Sequence, residues 1–182
     1  MTRIIGISGS LRKRSFNTAL LRAAAELMPP GSELDIRSIE GIPLYNGDDE
    51  AAHGPPAAVT VLKDAIAAGD GLLISTPEYN NAMPGVLKNA IDWLSRPPED
   101  IARVFDARPL ALMGATPGGF GTVLSQASWL PVFRTLGTRF WSGGRLMVPG
   151  ASRVFDEAGV LIDAQLRERL ARFLDDFVTF VG

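Results

Sequence analysis

Arg3-Ile4-Ile5-Gly6-Ile7-Ser8-Gly9-Ser10-Leu11-Arg12-Lys13-Arg14-Ser15-Phe16-Asn17 runs from an apolar strand into a turn rich in hydroxyls, glycine and arginine. A helix-forming stretch, residues 17–28, follows at once. Strand, polar turn and helix start in that succession make an anion site. The first helical N–H groups have no partner inside the helix and sit at the positive end of its dipole. Ser8, Ser10, Ser15 and Asn17 can add side-chain donors, and Arg12 can add a full charge in forked geometry.

Outward from that turn, continuous apolar runs at 71–75, 109–114 and 145–148 read as strands buried on both faces. Residues 33–39 alternate polar and apolar, as an edge strand with one wetter face does. Helical patterns lie between the strands at 17–28, 56–68, 84–94, 122–136 and 163–180. The alternation predicts right-handed crossovers onto a doubly wound parallel sheet of five strands, ordered 2-1-3-4-5, with helices on both faces. Segments 41–56 and 95–108 are rich in Pro, Gly and charge and read as surface connections. A 2-1-3-4-5 order opens its ligand crevice between the C-terminal ends of strands 1 and 3. The polar turn follows strand 1, Thr76-Pro77-Glu78-Tyr79-Asn80-Asn81-Ala82-Met83-Pro84-Gly85 follows strand 3, and Ala115-Thr116-Pro117-Gly118-Gly119-Phe120-Gly121-Thr122 follows strand 4. The topology therefore brings all three unusual loops to one edge.

Composition narrows the chemistry. A length of 182 residues, 46% hydrophobic and 21% charged, suits one well-cored domain spanning residues 1–182. The net charge is −2 and residues 12–14 form the one basic cluster, which argues against a nucleic-acid surface. The absence of cysteine excludes disulfides, thiol chemistry and iron–sulfur clusters. No apolar run approaches a membrane span and the N-terminus lacks a leader pattern, so a cytoplasmic protein is expected. The triphosphate P-loop and the dinucleotide G-x-G-x-x-G pattern are both missing. The sole histidine, His53, lies beside Asp48, Asp49 and Glu50 in what reads as a solvated acidic turn rather than a metal site. No Ser-His-Asp or Cys-His apparatus can be assembled. An anion cradle, aromatics and amides without nucleophile or base describe a site whose reactivity belongs to a cofactor. Tyr79 can lie against a flat ring, Glu78 and Asn80 can reach its polar rim, and Gly118 and Gly119 allow close backbone approach.

Gly9-Ser10-Leu11-Arg12, Ser15-Phe16-Asn17, Pro77-Glu78-Tyr79-Asn80 and Pro84-Gly85-Val86-Leu87-Lys88-Asn89-Ala90-Ile91-Asp92-Trp93 closely resemble the NAD(P)H-dependent FMN reductase family of flavodoxin-like proteins. The resemblance covers essentially the whole chain and is closest to the quinone- and chromate-reducing members. It implies non-covalent FMN, with NADPH or NADH as co-substrate. It also implies that Ser10, Arg12, Ser15 and Asn17, in the loop shared with Phe16, contact the phosphate. Pro77, Glu78, Tyr79 and Asn80 would wrap the isoalloxazine, and Thr116, Pro117, Gly118 and Gly119 would meet the ring or ribityl chain. The expected activity is hydride passage from a reduced nicotinamide through FMN to quinone, flavin, azo or metal-oxyanion acceptors, by a ping-pong route. A homodimer or homotetramer is implied too, for which the apolar stretch Trp129-Leu130-Pro131-Val132-Phe133 offers a surface. The competing class is a flavodoxin-like electron carrier. Carriers typically show a strongly acidic surface and an uncharged Thr/Ser-rich phosphate loop, whereas this loop holds Arg12. A flavin-free regulatory domain would require loss of the loop residues, which are present. Lys13 and Arg14 read as solvated residues, with steering of an anionic nucleotide as the alternative. Lys88, Asn89 and Asp92 read as local pairs, caps or a subunit contact, and Trp93, Trp129 and Trp141 as core or interface.

Overall fold

Five consecutive residues of the third strand, Gly71–Ser75, are buried on both faces, which happens only in a sheet covered by helices on either side. A computed structural model describes residues 1–182. Its strands are β1 (Thr2–Ser8), β2 (Ser32–Arg37), β3 (Gly71–Ser75), β4 (Pro109–Ala115), β5 (Arg139–Phe140) and β6 (Leu146–Val148). The helices are α1 (Phe16–Glu26), α2 (Gly47–His53), α3 (Ala57–Ala67), α4 (Gly85–Leu94), α5 (Ile101–Val104), α6 (Val123–Thr135), α7 (Ala151–Val154) and α8 (Ala164–Val181). The sheet is parallel throughout, in the order β2-β1-β3-β4, with β5 and β6 both paired to β4. This is the expected flavodoxin-like 2-1-3-4-5 order with its fifth position split.

The pleat sends alternate side chains to two cores. Ile4, Leu73, Ala111 and Met113 meet α1 and α8 on one face. Ile5, Ile7, Leu72, Ile74, Leu110 and Leu112 meet α3, α4 and α6 on the other. Each fully buried large side chain contributes about 1.5–3 kcal/mol. The alternation in 33–39 has the cause expected of an edge. Leu34 and Ile36 pack inward, while Arg3 and Arg37 flank the Asp35 carboxylate at 2.6 Å on the other face. The strand ends at Arg37, and Ile39 leaves it for the opposite core.

The fifth strand differs from the single run expected at 145–148. Arg139–Phe140 pairs with the start of β4 and Leu146–Val148 with its end. Between them Trp141 turns into an aromatic cluster with Phe173, Phe177 and Phe180 of α8. A Cβ on Gly143 or Gly144 would come within 2.6 Å of that indole ring, so the chain can fold around it only with glycine there. The segments expected to be plain connections also carry structure. Residues 41–56 include α2, and 95–108 include a 3-10 turn (Pro98–Asp100) and α5. The fully buried Lys63 of α3 ties the latter down, donating to Asp100 at 2.8 Å and to the Arg96 carbonyl.

Candidate functional site

Three loops leave the C-terminal ends of β1, β3 and β4 and face one another. Ser10, Arg12, Ser15, Phe16, Asn17, Pro77, Glu78, Tyr79, Thr116 and Pro117 line one crevice together with Ala115. Asn80, Gly118 and Gly119 belong to the same loops but do not line it. Close approach of the first two loops depends on Gly9. Its N–H donates to the Ser75 carbonyl at 2.8 Å, and a Cβ there would stand 2.9 Å from Pro77 and 2.8 Å from Leu87.

The first loop is built to receive an anion. The backbone N–H groups of Ser10, Leu11, Lys13, Arg14 and Phe16 have no acceptor within the protein. The hydroxyl of Ser15 caps α1, accepting from Asn17 and Thr18. The Arg12 side chain is exposed beside this cradle. Ser8, expected as a further donor, faces inward instead. Its hydroxyl donates to the Ser10 carbonyl and accepts from Thr18 Oγ1 at 2.9 Å.

Asn17 also carries out a task that its sequence position does not disclose. Its side-chain nitrogen donates to the Ala115 carbonyl at 2.9 Å, and its oxygen accepts from the Ala115 N–H and the Ser75 hydroxyl, each at 3.0 Å. The residue is 3% exposed and ties the ends of β3 and β4 to the start of α1 behind the crevice. Phe16 stacks on Phe155 with ring centroids 6.0 Å apart, closing one side.

The second loop is a two-residue hairpin. Tyr79 and Ala82 exchange both backbone hydrogen bonds, while Asn80 (φ 50°) and Asn81 (φ 61°) occupy the left-handed region that asparagine tolerates best after glycine. Tyr79 stands at the rim, 43% exposed. The Glu78 carboxylate, expected at the polar edge of a ring, is turned to the start of α6. One of its oxygens accepts from the N–H groups of Leu124 and Ser125, at 2.8 and 3.0 Å. A carboxylate on a helix N-terminus satisfies two orphan donors and the dipole together.

The third loop is anchored to the sheet by Thr116, whose N–H donates to Val148 at 3.0 Å. It enters α6 through Gly121 (φ 60°) and Thr122 (φ 70°). A β-branched residue in that region is strained, and close packing holds it there. Gln126 Nε2 donates to Thr122 Oγ1 at 3.1 Å, and a Cβ on Gly114 would meet that hydroxyl at 2.1 Å. Gly119 has open space around it and an N–H without an internal acceptor.

The remaining sequence candidates lie apart from the crevice. Trp129 and Phe133 are fully buried and stacked at 5.2 Å, whereas Leu130 and Pro131 of the same stretch stay exposed and Val132 is half-buried. Trp93 is core and donates to the Pro43 carbonyl at 2.9 Å, and Lys88 pairs with Asp92 one turn on. His53 ends α2, and no cluster of three or more potential ligands could hold a metal ion. No helix is long and apolar enough to cross a membrane. A larger apolar cavity of about 290 Å³ lies between α6 and the strand break, lined by none of the three loops.

A phosphate cradle of unpartnered N–H groups, with a crevice walled by Pro77, Tyr79 and Pro117, fits a phosphorylated ligand bearing a flat ring. Comparison with known proteins points the same way. Residues 2–153 match the family model described as NADPH-dependent FMN reductase. The chain is 44% identical over 172 residues to the NAD(P)H-dependent FMN reductase of Pseudomonas aeruginosa, covering 94% of this chain and 91% of that one. It is 36% identical over 179 residues to the 2-hydroxy-1,4-benzoquinone reductase of a Burkholderia species, covering 98% and 96%. Its fold superposes on the flavoenzyme NAD(P)H:(acceptor) oxidoreductase FerB of Paracoccus denitrificans with a TM-score of 0.88 at 32% identity, covering 100% and 97%.

Proposed function

From the premise that this chain belongs to the NADPH-dependent FMN reductase family, and is an oxidoreductase using FMN and NAD(P)H, we propose that it reduces quinones and other small acceptors at one shared face of the cofactor. FMN supplies the hydride chemistry when bound. The protein's part is to hold and expose it. Ser10, Ser15 and the free N–H groups of residues 10–16, with Arg12, bind the phosphate. Asn17 keeps the ends of β3 and β4 aligned beneath it. Pro77 and Tyr79 of the second loop and Thr116 and Pro117 of the third would hold one side of the ring and its edge, with Asn80, Gly118 and Gly119 farther along the same loops, so that the other face stays open.

One observation carries this reading: the crevice contains an anion cradle and no histidine, lysine, cysteine or free carboxylate to act as acid or base. Its only carboxylate, Glu78, is engaged by α6. The site is built to position a reactive cofactor, and the Tyr79 phenol at its rim is the one side chain left for proton transfer. Free flavins, azo compounds and metal oxyanions fall within the acceptor class, because an acceptor that meets only the open face of the ring is discriminated weakly. The reading extends to a single domain over residues 1–182, a cytoplasmic setting and a homodimer or homotetramer.

The deciding experiment is anaerobic mixing of the purified yellow protein with NADH or NADPH, followed by a quinone. Bleaching of the flavin by nicotinamide and recovery on addition of quinone are expected. A bound flavin that neither nicotinamide reduces would identify an electron carrier instead.

A further inference from the structure

The phosphate loop has two sides. One faces the crevice. On the other lies a groove of about 280 Å³ between α1 and the turn that precedes α8. Arg12, Ser15 and Phe16 line both spaces, so the groove begins where the crevice ends.

Its charge is unbalanced. Arg12, Lys13, Arg14 and Arg22 line it against only two carboxylates, in a chain whose net charge is −2. Those carboxylates do not neutralise the cations, since none of the protein's ion pairs involves them. Asp156 accepts the N–H of Val160 at 2.8 Å. The guanidinium of Arg14 donates to the backbone carbonyl of Glu157 at 2.9 Å, which pins it at the groove. Lys13 and Arg22 are exposed and have no side-chain partner.

We propose that this groove seats the adenosine 2′-phosphate of NADPH, with Lys13 and Arg22 as its principal contacts. The proposal rests on the oxidoreductase reading above. A nicotinamide must stack where the ring lies, between the second and third loops. With a flavin phosphate held in the first loop, the groove on the far side of that loop would lie beyond that end of the cofactor. A dinucleotide laid along FMN would pass its pyrophosphate by Arg12 and bring its adenosine over the loop. The 2′-phosphate is the only chemical difference between NADPH and NADH, and a cluster of free cations is what distinguishes them.

The test is calorimetric titration of the FMN-loaded protein with adenosine 2′,5′-bisphosphate and adenosine 5′-monophosphate as probes. The bisphosphate should bind about tenfold or more tightly than the monophosphate. Lys13→Gln and Arg22→Gln should each reduce that preference, and the ratio of NADPH to NADH kcat/KM should fall with it. Arg172→Gln, at an exposed arginine of α8 outside the groove, should keep it. Flavin absorbance confirms that each variant is folded. Equal affinities for the two probes, or a preference unchanged in both groove variants, would overturn the proposal. Flavin reduction by NADH, which lacks the 2′-phosphate, tests the oxidoreductase reading separately.

Discussion

The side-chain amide of Asn17 closes a two-point bridge with the backbone of Ala115, donating to its carbonyl at 2.9 Å and accepting its N–H at 3.0 Å. The amide thus behaves as a short piece of β-strand inserted between α1 and the end of β4. Asn17→Ala would leave both backbone groups and the Ser75 hydroxyl buried without their partner. We expect a loss of about 2 kcal/mol or more in stability, read by urea unfolding with and without FMN. Asn17→Asp keeps the shape but sets a carboxylate against the Ala115 carbonyl, and should be no better. A variant as stable as the parent would mean that the bridge is dispensable.

Arg12→Ala should weaken FMN binding about ten- to a hundredfold and leave the fold intact, because it removes one charge-assisted contact to phosphate. Lys13→Ala should affect FMN much less. Fluorescence titration of the apoprotein separates the two. Equal losses at both positions would mean that general charge, rather than cradle geometry, holds the phosphate.

Steady-state turnover should give parallel double-reciprocal plots, with inhibition by excess acceptor. If loops cover one side of the ring, nicotinamide and acceptor must use the other in turn. Intersecting plots would require a second binding surface.

Acid should destabilise the protein partly through Asp100. Arg103 first, and Lys63 second, hold its carboxyl below the ordinary value of 3.8. A carboxyl whose folded value is depressed stabilises the native state above its unfolded value, and that stability is lost as pH falls through the folded one. Stability should therefore decline below about pH 4, with Asp35, held down by Arg37 and Arg3, contributing in the same direction. Asp100→Asn should be less stable at neutral pH and show a shallower decline, measured as denaturant midpoints across pH. An unchanged acid slope would place the titration elsewhere.

Light scattering at micromolar concentration should give a dimer or tetramer. With Trp129 and Phe133 buried, the surface left for association is the outer face of α6 with the loop before it. There Phe120, Leu124 and Leu130 are 72%, 43% and 46% exposed. Leu124→Glu should favour the monomer. A monomeric parent protein would remove the claim.

What could be read from the sequence follows from how local its causes are. β3 and β4 announce themselves as apolar runs because both their faces are covered, whatever covers them. The phosphate loop is equally local, since strand, turn and cap lie within one stretch. α2 has no buried residue, so it leaves no periodicity. It is fastened by Glu50, which accepts from Arg96 and from Tyr45, and the first of those partners lies 46 residues away. The split of the fifth strand depends on where α8 presents Phe173 and Phe177 to Trp141. Glu78 and Asn17 were recognisable as site residues. Their inward roles were not, because the partners of Glu78 stand 46 and 47 positions off and those of Asn17 stand 58 and 98 off.

The break between β5 and β6 has a consequence for the protein among its own copies at high concentration. A parallel sheet ends in two rims of free backbone groups, each a template for an intruding strand. Here one rim, β2, carries the charges of Glu33, Asp35 and Arg37. The other offers two residues, then an interruption filled by an indole, then three. The first rim is guarded by its charges, and the second gives a foreign chain too few consecutive backbone groups to zip along. The same tryptophan that completes the aromatic core thereby guards the sheet against fibril-like growth.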